Sequence, residues 1–192
     1  MLLVPCLLIL SAVALSACGG SSGSSDEGEI EEAIETAATT SDPTNCTQLQ
    51  TPKFDEQNSP TEGGNAVKAC EKEAEQGEEV AESVEVSNVS VNGEKATAEA
   101  AFSGSGFDGQ AVEINLVKDG GNWKLDEIAG FTSYDPTKLG EAFEERFAEE
   151  EGVDPKLAAC LTEAFSSASQ AEAEELMFSG SQEPLEELIG TC

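Results

Sequence analysis

The chain predicts an α+β fold: helices packed on a curved four-stranded antiparallel sheet (a cone), followed by a small all-α C-terminal segment. Three observations carry this. Apolar residues recur at three and four as far as residue 76, at two from Val84 to Phe131, and at three and four again beyond Asp135. Turn chemistry at Asn92-Gly93, Ser105–Gly109 and Asp119–Asn122 divides the middle stretch into four consecutive strands. Asp-Pro stands at 42–43, 135–136 and 154–155, and each pair joins an N-cap side chain to a proline whose fixed φ suits the first helical position.

The elements follow in order. Ile30, Ala33, Ile34 and Ala37 form one face of a first helix over 29–40, which Ser41-Asp42-Pro43 ends. Asp42-Pro43 then opens a short second helix carrying Cys46 and Leu49, and a loop runs through Asn58–Gly64. Residues 65–76 are helical, with Val67 and Cys70 one turn apart. Val84, Val86, Val89 and Val91 form the first strand, with an irregularity at Ser87-Asn88. Ala96, Ala98, Ala100 and Phe102 share one face of the second strand, and Val112, Ile114 and Leu116 share that face of the third. Residues 123–131, with Trp123 and Leu125 on one side, form the fourth. A meander with one apolar face must be covered, and the preceding helices supply the cover. Leu139, Phe143 and Phe147 then mark a helix over 136–150; Leu157, Ala158, Leu161 and Phe165 mark another, and shorter helices follow over 169–177 and 183–189. A helical tail of this size is weak alone and needs a crosslink and a surface to pack on.

The N-terminus gives an address. Residues 1–17 are uncharged and almost wholly apolar, too short for a comfortable bilayer span and suited to the h-region of a secretory signal peptide. Leu15-Ser16-Ala17-Cys18 resembles the bacterial lipobox, in which small residues precede a cysteine that is diacylated and becomes the first residue after cleavage. The expectation is lipidation at Cys18, with the Gly/Ser-rich stretch 18–28 as a flexible tether and the protein exported and anchored to the outer face of the bacterial cell membrane. A plain cleaved signal peptide and an uncleaved anchor are the alternatives. No Lys or Arg precedes the apolar run, and a start a few residues upstream would supply it. The segments are therefore 1–17 signal peptide, 18–28 lipidated cysteine and linker, 29–134 the α+β cone, and 135–192 a helical tail with a disulfide.

Composition bounds the partners. Nine Lys and Arg face 39 Asp and Glu with no His, for a net charge of −30. Such a surface repels nucleic acid, which is excluded as a partner. No D-x-[DN]-x-[DN]-G loop gathers the carboxylates for Ca²⁺, and no C-x-x-C or His offers a zinc site, so neither a metal nor a cofactor is expected. Beyond Cys6 and Cys18, Cys46, Cys70, Cys160 and Cys192 remain, an even number in an exported chain. Three pairings are open, and Cys46–Cys70 with Cys160–Cys192 keeps each bond within one compositional segment. Loops of this size contribute about 3–4 kcal/mol each in the chain-entropy account.

Helices first, then a curved meander closing at Gly121-Asn122-Trp123-Lys124-Leu125, resembles the nuclear-transport-factor-2-like superfamily, also called ketosteroid-isomerase-like or cystatin-like. Val91-Asn92-Gly93-Glu94-Lys95-Ala96-Thr97-Ala98 resembles its V-x-G-[DE]-x-A-x-[AV] hairpin entry, and the likeness spans 29–134. The paired cysteines and cysteine-bearing tail also resemble exported actinobacterial lipoproteins of that superfamily. The resemblance implies a pocket between helices and sheet for an apolar ligand, and a homodimer through the exposed sheet face. In enzymatic members it implies an Asp or His base with a Tyr or acid as oxyanion donor.

This chain offers no His and one Tyr, Tyr134, after the last strand. Glu99, Glu113, Asp126 and Glu127 are the carboxylates that could face inward, with Glu113, Asp126 and Glu127 the weak candidates for a desolvated base; the plain alternative is that they face solvent. No G-x-S-x-G and no Cys/His pair marks a nucleophile. The reading is thus a surface-anchored, non-enzymatic binding module for a small apolar ligand or a protein partner. The alternative is an isomerase or cyclase with a buried carboxylate base.

Overall fold

Asn-Gly at 92–93 and Gly-Gly at 120–121 are the residues that two tight antiparallel corners need, with Gly93, Gly120 and Gly121 all at positive φ. The strands they join, in a computed structural model describing residues 23–59, 65–77, 80–149 and 153–192, are β1 (Ser83–Asn92), β2 (Lys95–Ser103), β3 (Ala111–Asp119) and β4 (Asn122–Ser133). They form one open antiparallel sheet in the order β1-β2-β3-β4, so the fold is α+β as the sequence predicts. Helices α1 (Gly23–Thr39), α2 (Asn45–Gln48), α3 (Pro52–Asn58) and α4 (Ala66–Gln76) precede it; α5 (Pro136–Glu149), α6 (Pro155–Ser167), α7 (Gln170–Phe178) and α8 (Glu183–Thr191) follow. The signal peptide, Cys18 and the start of the tether lie outside the described residues.

The alternation read from sequence sets the inner face. Ala96, Ala98 and Ala100 of β2, Val112, Ile114 and Leu116 of β3, and Trp123, Leu125, Ile128 and Phe131 of β4 are buried against Ile30, Ala33 and Ile34 of α1. α1 packs on the two edge strands, β1 and β4, so the curved sheet wraps the helix and the small alanines of β2 face the cluster it closes. The expected irregularity in β1 is a bulge at Asn88, a non-glycine residue at φ 52, which returns Val89 and Val91 to the inner face.

Three expectations need correction. Residues 23–28, read as flexible tether, are the opening turns of α1. The reason is Asp26: its carboxylate accepts from Lys118 Nζ and, at 3.1 Å, from Trp123 Nε1, pinning the helix start to the β3–β4 corner. Asp42-Pro43 does not open α2: Asp42 Oδ1 accepts from Thr44 N–H at 2.9 Å in a turn, and the helix starts at Asn45. Residues 52–58, to which the sequence pattern assigns no helix, form α3, capped by Thr51, whose hydroxyl accepts from Phe54 N–H, with Pro52 in the first turn.

The outer edge of β4 carries no naked stretch at its three contact points. Leu125 N–H donates to Leu49 O at 2.8 Å, and Thr51 N–H donates to Leu125 O at 2.9 Å. Farther along, the Gln57 amide imitates a peptide: its Oε1 accepts from Ile128 N–H at 2.7 Å, and its Nε2 donates to Ile128 O at 2.9 Å and to Phe178 O at 2.9 Å. Then Glu174 accepts from Phe131 N–H at 2.9 Å while Gln170 donates to Phe131 O at 2.9 Å. Covered edges resist pairing with foreign strands. Gln57→Leu leaves three main-chain groups without this partner, and at about 1–3 kcal/mol per unsatisfied group a loss of about 2–4 kcal/mol is expected in urea denaturation; wild-type stability in that variant would contradict this account of the edge.

In the tail, Leu139 of α5 is fully buried, and Phe143 of α5 stacks on Phe165 of α6 with centroids 4.0 Å apart. Phe107, Phe131, Tyr134 and Phe178 form an aromatic joint between the sheet's end and α7. Both expected disulfides are present: Cys46–Cys70 ties α2 to α4, and Cys160–Cys192 ties the end of α8 to α6.

Candidate functional site

The cross-strand register decides where the sequence's carboxylates point. Glu113 of β3 lies opposite Glu99 of β2, on the face turned away from α1. Glu113 is exposed, and Glu99 accepts from Asn88 Nδ2 at 3.3 Å. Asn115 lies opposite Thr97 and Glu127 in the next row of that face. This outer face is a polar ladder, so a second copy docking on it would set carboxylates against carboxylates.

Asp126 and Glu127 do come together, but around a cation. Lys53 of α3 places its Nζ 2.7 Å from Glu127 Oε2 and 3.5 Å from Asp126 Oδ2. Thr51 Oγ1 donates to the other Asp126 oxygen at 2.9 Å, and Asn115 Nδ2 donates to Glu127 at 3.4 Å. The Lys53 hydrogen bond holds the Glu127 carboxyl below its ordinary range, which is opposite to what a general base at neutral pH requires. The cleft around these groups, about 490 Å³, is an open polar groove over Ser90, Lys95 and Thr97. Tyr134 is drawn away from any such groove: its hydroxyl donates to Ala168 O at 2.9 Å, and burial pushes the phenol up.

The interior offers little room. Where a curved sheet over a helix would hold a ligand, Ile30, Ile34, Ala100 and Val112 are each 0% exposed and in one continuous cluster with Ile114, Leu116 and Trp123.

One buried carboxylate escaped the sequence reading. Asp55 of α3 is 1% exposed, and among the described residues neither oxygen has a hydrogen-bond partner. Burial first, then the charges of Glu71 and Glu73 on α4, push its carboxyl up to about 7. Thr51-Pro52 carries the same cap-plus-proline signal as the three Asp-Pro pairs, and it would have placed Asp55 on the helix face turned to α4. Among the described residues, Asp55 lines neither the groove around Lys53 nor the clefts beside Trp123 and along α6.

Described residues line further clefts on the surface. One of about 720 Å³ between α1, α2 and the β3–β4 corner is rimmed by Glu29, Glu32, Asp42 and Asp119, with Trp123 at its floor. Two more flank α6. Between α5 and α6, Phe147, Val153, Pro155 and Ala158 line about 590 Å³ beside Glu144 and Glu163. Between α6, α7 and α8, Ala164, Ala168, Leu176, Pro184 and Leu188 line about 470 Å³ beside Glu172, Glu175 and Glu187. Among the described residues no group of three or more His, Cys, Asp or Glu is placed to hold a metal, and no helix is long and apolar enough to cross a membrane. No protein-family model, no curated protein and no solved structure matches the chain.

Proposed function

We propose that the protein is an exported lipoprotein, acylated at Cys18 on the outer face of the bacterial cell membrane, that works as a non-enzymatic interaction module for a protein partner. Its 29–134 body is read as a nuclear-transport-factor-2-like domain. The meander order, α1 lying in the curve of the sheet, and the corner at Gly121-Asn122 support that reading. The observation that carries the function is the filled interior, from Ile30 and Ile34 across to Val112 and Leu116, set beside apolar clefts on the tail. Apolar contact area is offered outward, where a macromolecule reaches it, rather than inward, where a small ligand would lodge. The isomerase or cyclase reading needs a desolvated carboxylate base facing a pocket, and Glu113, Asp126 and Glu127 offer none.

Cross-linking on intact cells tests the proposal. The anchored chain is expected to give a reproducible protein adduct that persists in Glu113→Gln/Asp126→Asn/Glu127→Gln and that disappears from the membrane fraction in Cys18→Ser. Absence of any adduct above that of an equally acidic control lipoprotein sinks the interaction reading. Retention of Cys18→Ser in the membrane sinks the anchor.

A further inference from the structure

The groove between α6, α7 and α8 has an apolar floor and a rim of one sign. Its floor is Ala164 and Ala168, Leu176 of α7, and Pro184 and Leu188 of α8. Its rim carries Glu172, Glu175 and Glu187, and no basic residue lines it. Glu172 is committed to the capping box with Ser169, accepting from its N–H at 2.8 Å, so Glu175 and Glu187, both exposed, are the carboxylates that face outward. The bias extends through the whole segment: after Lys156 the sequence holds seven Glu and no Lys or Arg.

α8 itself is under-covered. It has no buried residue, although Leu185, Leu188 and Ile189 give it an apolar side, and Ile189 is 41% exposed, a large apolar residue open to solvent among the described residues. Its attachment rests on the Cys160–Cys192 bond and limited packing on α6 and α7. An apolar stripe edged by carboxylates is the complement of a helix with leucine-like anchors at i, i+3/i+4 and i+7 flanked by lysine or arginine. A neutral apolar partner would leave Glu175 and Glu187 beside uncompensated surface, and an acidic one would be repelled.

We propose that this groove docks a basic amphipathic helix of a partner protein, seated against Leu176 and Leu188 with its cations on Glu175 and Glu187. This rests on the interaction-module reading and names the partner's chemistry for it.

The test uses the full chain in phosphatidylcholine nanodiscs and two labelled 18-residue peptides of leucine and lysine, one patterned at helical spacing and one permuted. Fluorescence anisotropy is expected to show saturable binding of the patterned peptide and at least tenfold weaker binding of the permuted one. Affinity should fall steeply with salt, since exposed charges are screened over about 10 Å at 0.1 M. Glu175→Lys/Glu187→Lys should lower affinity at least tenfold. Glu29→Lys/Glu32→Lys, the same charge change on the groove beside Trp123, should lower it less than twofold. Equal losses in the two variants, or equal affinity for the two peptides, overturn the proposal and leave only attraction to a polyanion. If the peptides fail while the cellular adduct persists at another surface, the groove is wrong and the module stands. If neither appears, the module reading fails with it.

Discussion

Asp55→Asn is expected to make the protein more stable at pH 8 and to remove most of its loss of stability between pH 4 and 7. The carboxyl is held at about 7 in the folded chain against an ordinary 3.8, so the folded state binds the extra proton throughout that window. Stability from this group is therefore greatest below pH 4, falls as pH rises toward 7, and is flat above. At about 1.4 kcal/mol per pKa unit, the swing has a ceiling of about 4 kcal/mol. The cause is geometric: α3 buries Asp55 against α4 with neither oxygen satisfied among the described residues, and an unpaired buried charge is costly. Asparagine cannot ionise, so its urea unfolding free energy should be nearly level between pH 5 and 8 while wild type declines. A variant that declines as wild type does would show that Asp55 is solvated or paired in solution.

Gly140→Val is expected to cost about 3 kcal/mol or more, and to loosen the tail before the sheet. A Cβ at Gly140 would lie 1.8 Å from Ser166 Oγ, 2.9 Å from its Cβ and 3.1 Å from its Cα. The Ser166 hydroxyl can swing away, at the loss of its 2.7 Å bond to Thr162 O, but the backbone of α6 cannot move without unstacking Phe143 from Phe165. Overpacking a helix crossing costs about 1–3 kcal/mol, and a β-branched residue inside a helix adds to it. Gly140→Ala/Ser166→Gly should recover much of what Gly140→Ala loses, a coupling that a double-mutant cycle in urea reads directly. Wild-type stability in Gly140→Val would mean that the two helices do not cross at this point.

Much of this architecture is written locally. The change of period at Val84, the Asn92-Gly93 corner and the Asp-Pro starts at 135–136 and 154–155 each act over a few residues, so strands, turns and tail helices fall where the pattern places them. The bulge at Ser87-Asn88 is legible because continuous alternation would turn Val89 outward. The disulfides are legible because each stays within one compositional segment. What local pattern does not carry is lateral contact. Lys53 meets Asp126 and Glu127 more than seventy residues away, and that pairing turns two candidate bases into an ion-paired cluster. Asp26 looks like linker composition until Lys118 and Trp123 arrive beside it. Asp55 reads as one more acid in an acidic chain, because burial belongs to the packing of α3 on α4 and not to any short motif.

The three contact points along the rim of β4 also bear on where the chain can be cut. Composition and period put a boundary at 134–135, yet Phe131 is satisfied by Gln170 and Glu174, and one Gln57 amide bridges Ile128 to Phe178. A truncation after Ser133 would strip two of those acceptors and donors and leave the rim of the sheet half bare, a template on which identical molecules stack. The chain has two textures and one indivisible body: the tail is a side wall of the sheet, and an excised 29–134 fragment would be a recipe for self-assembly.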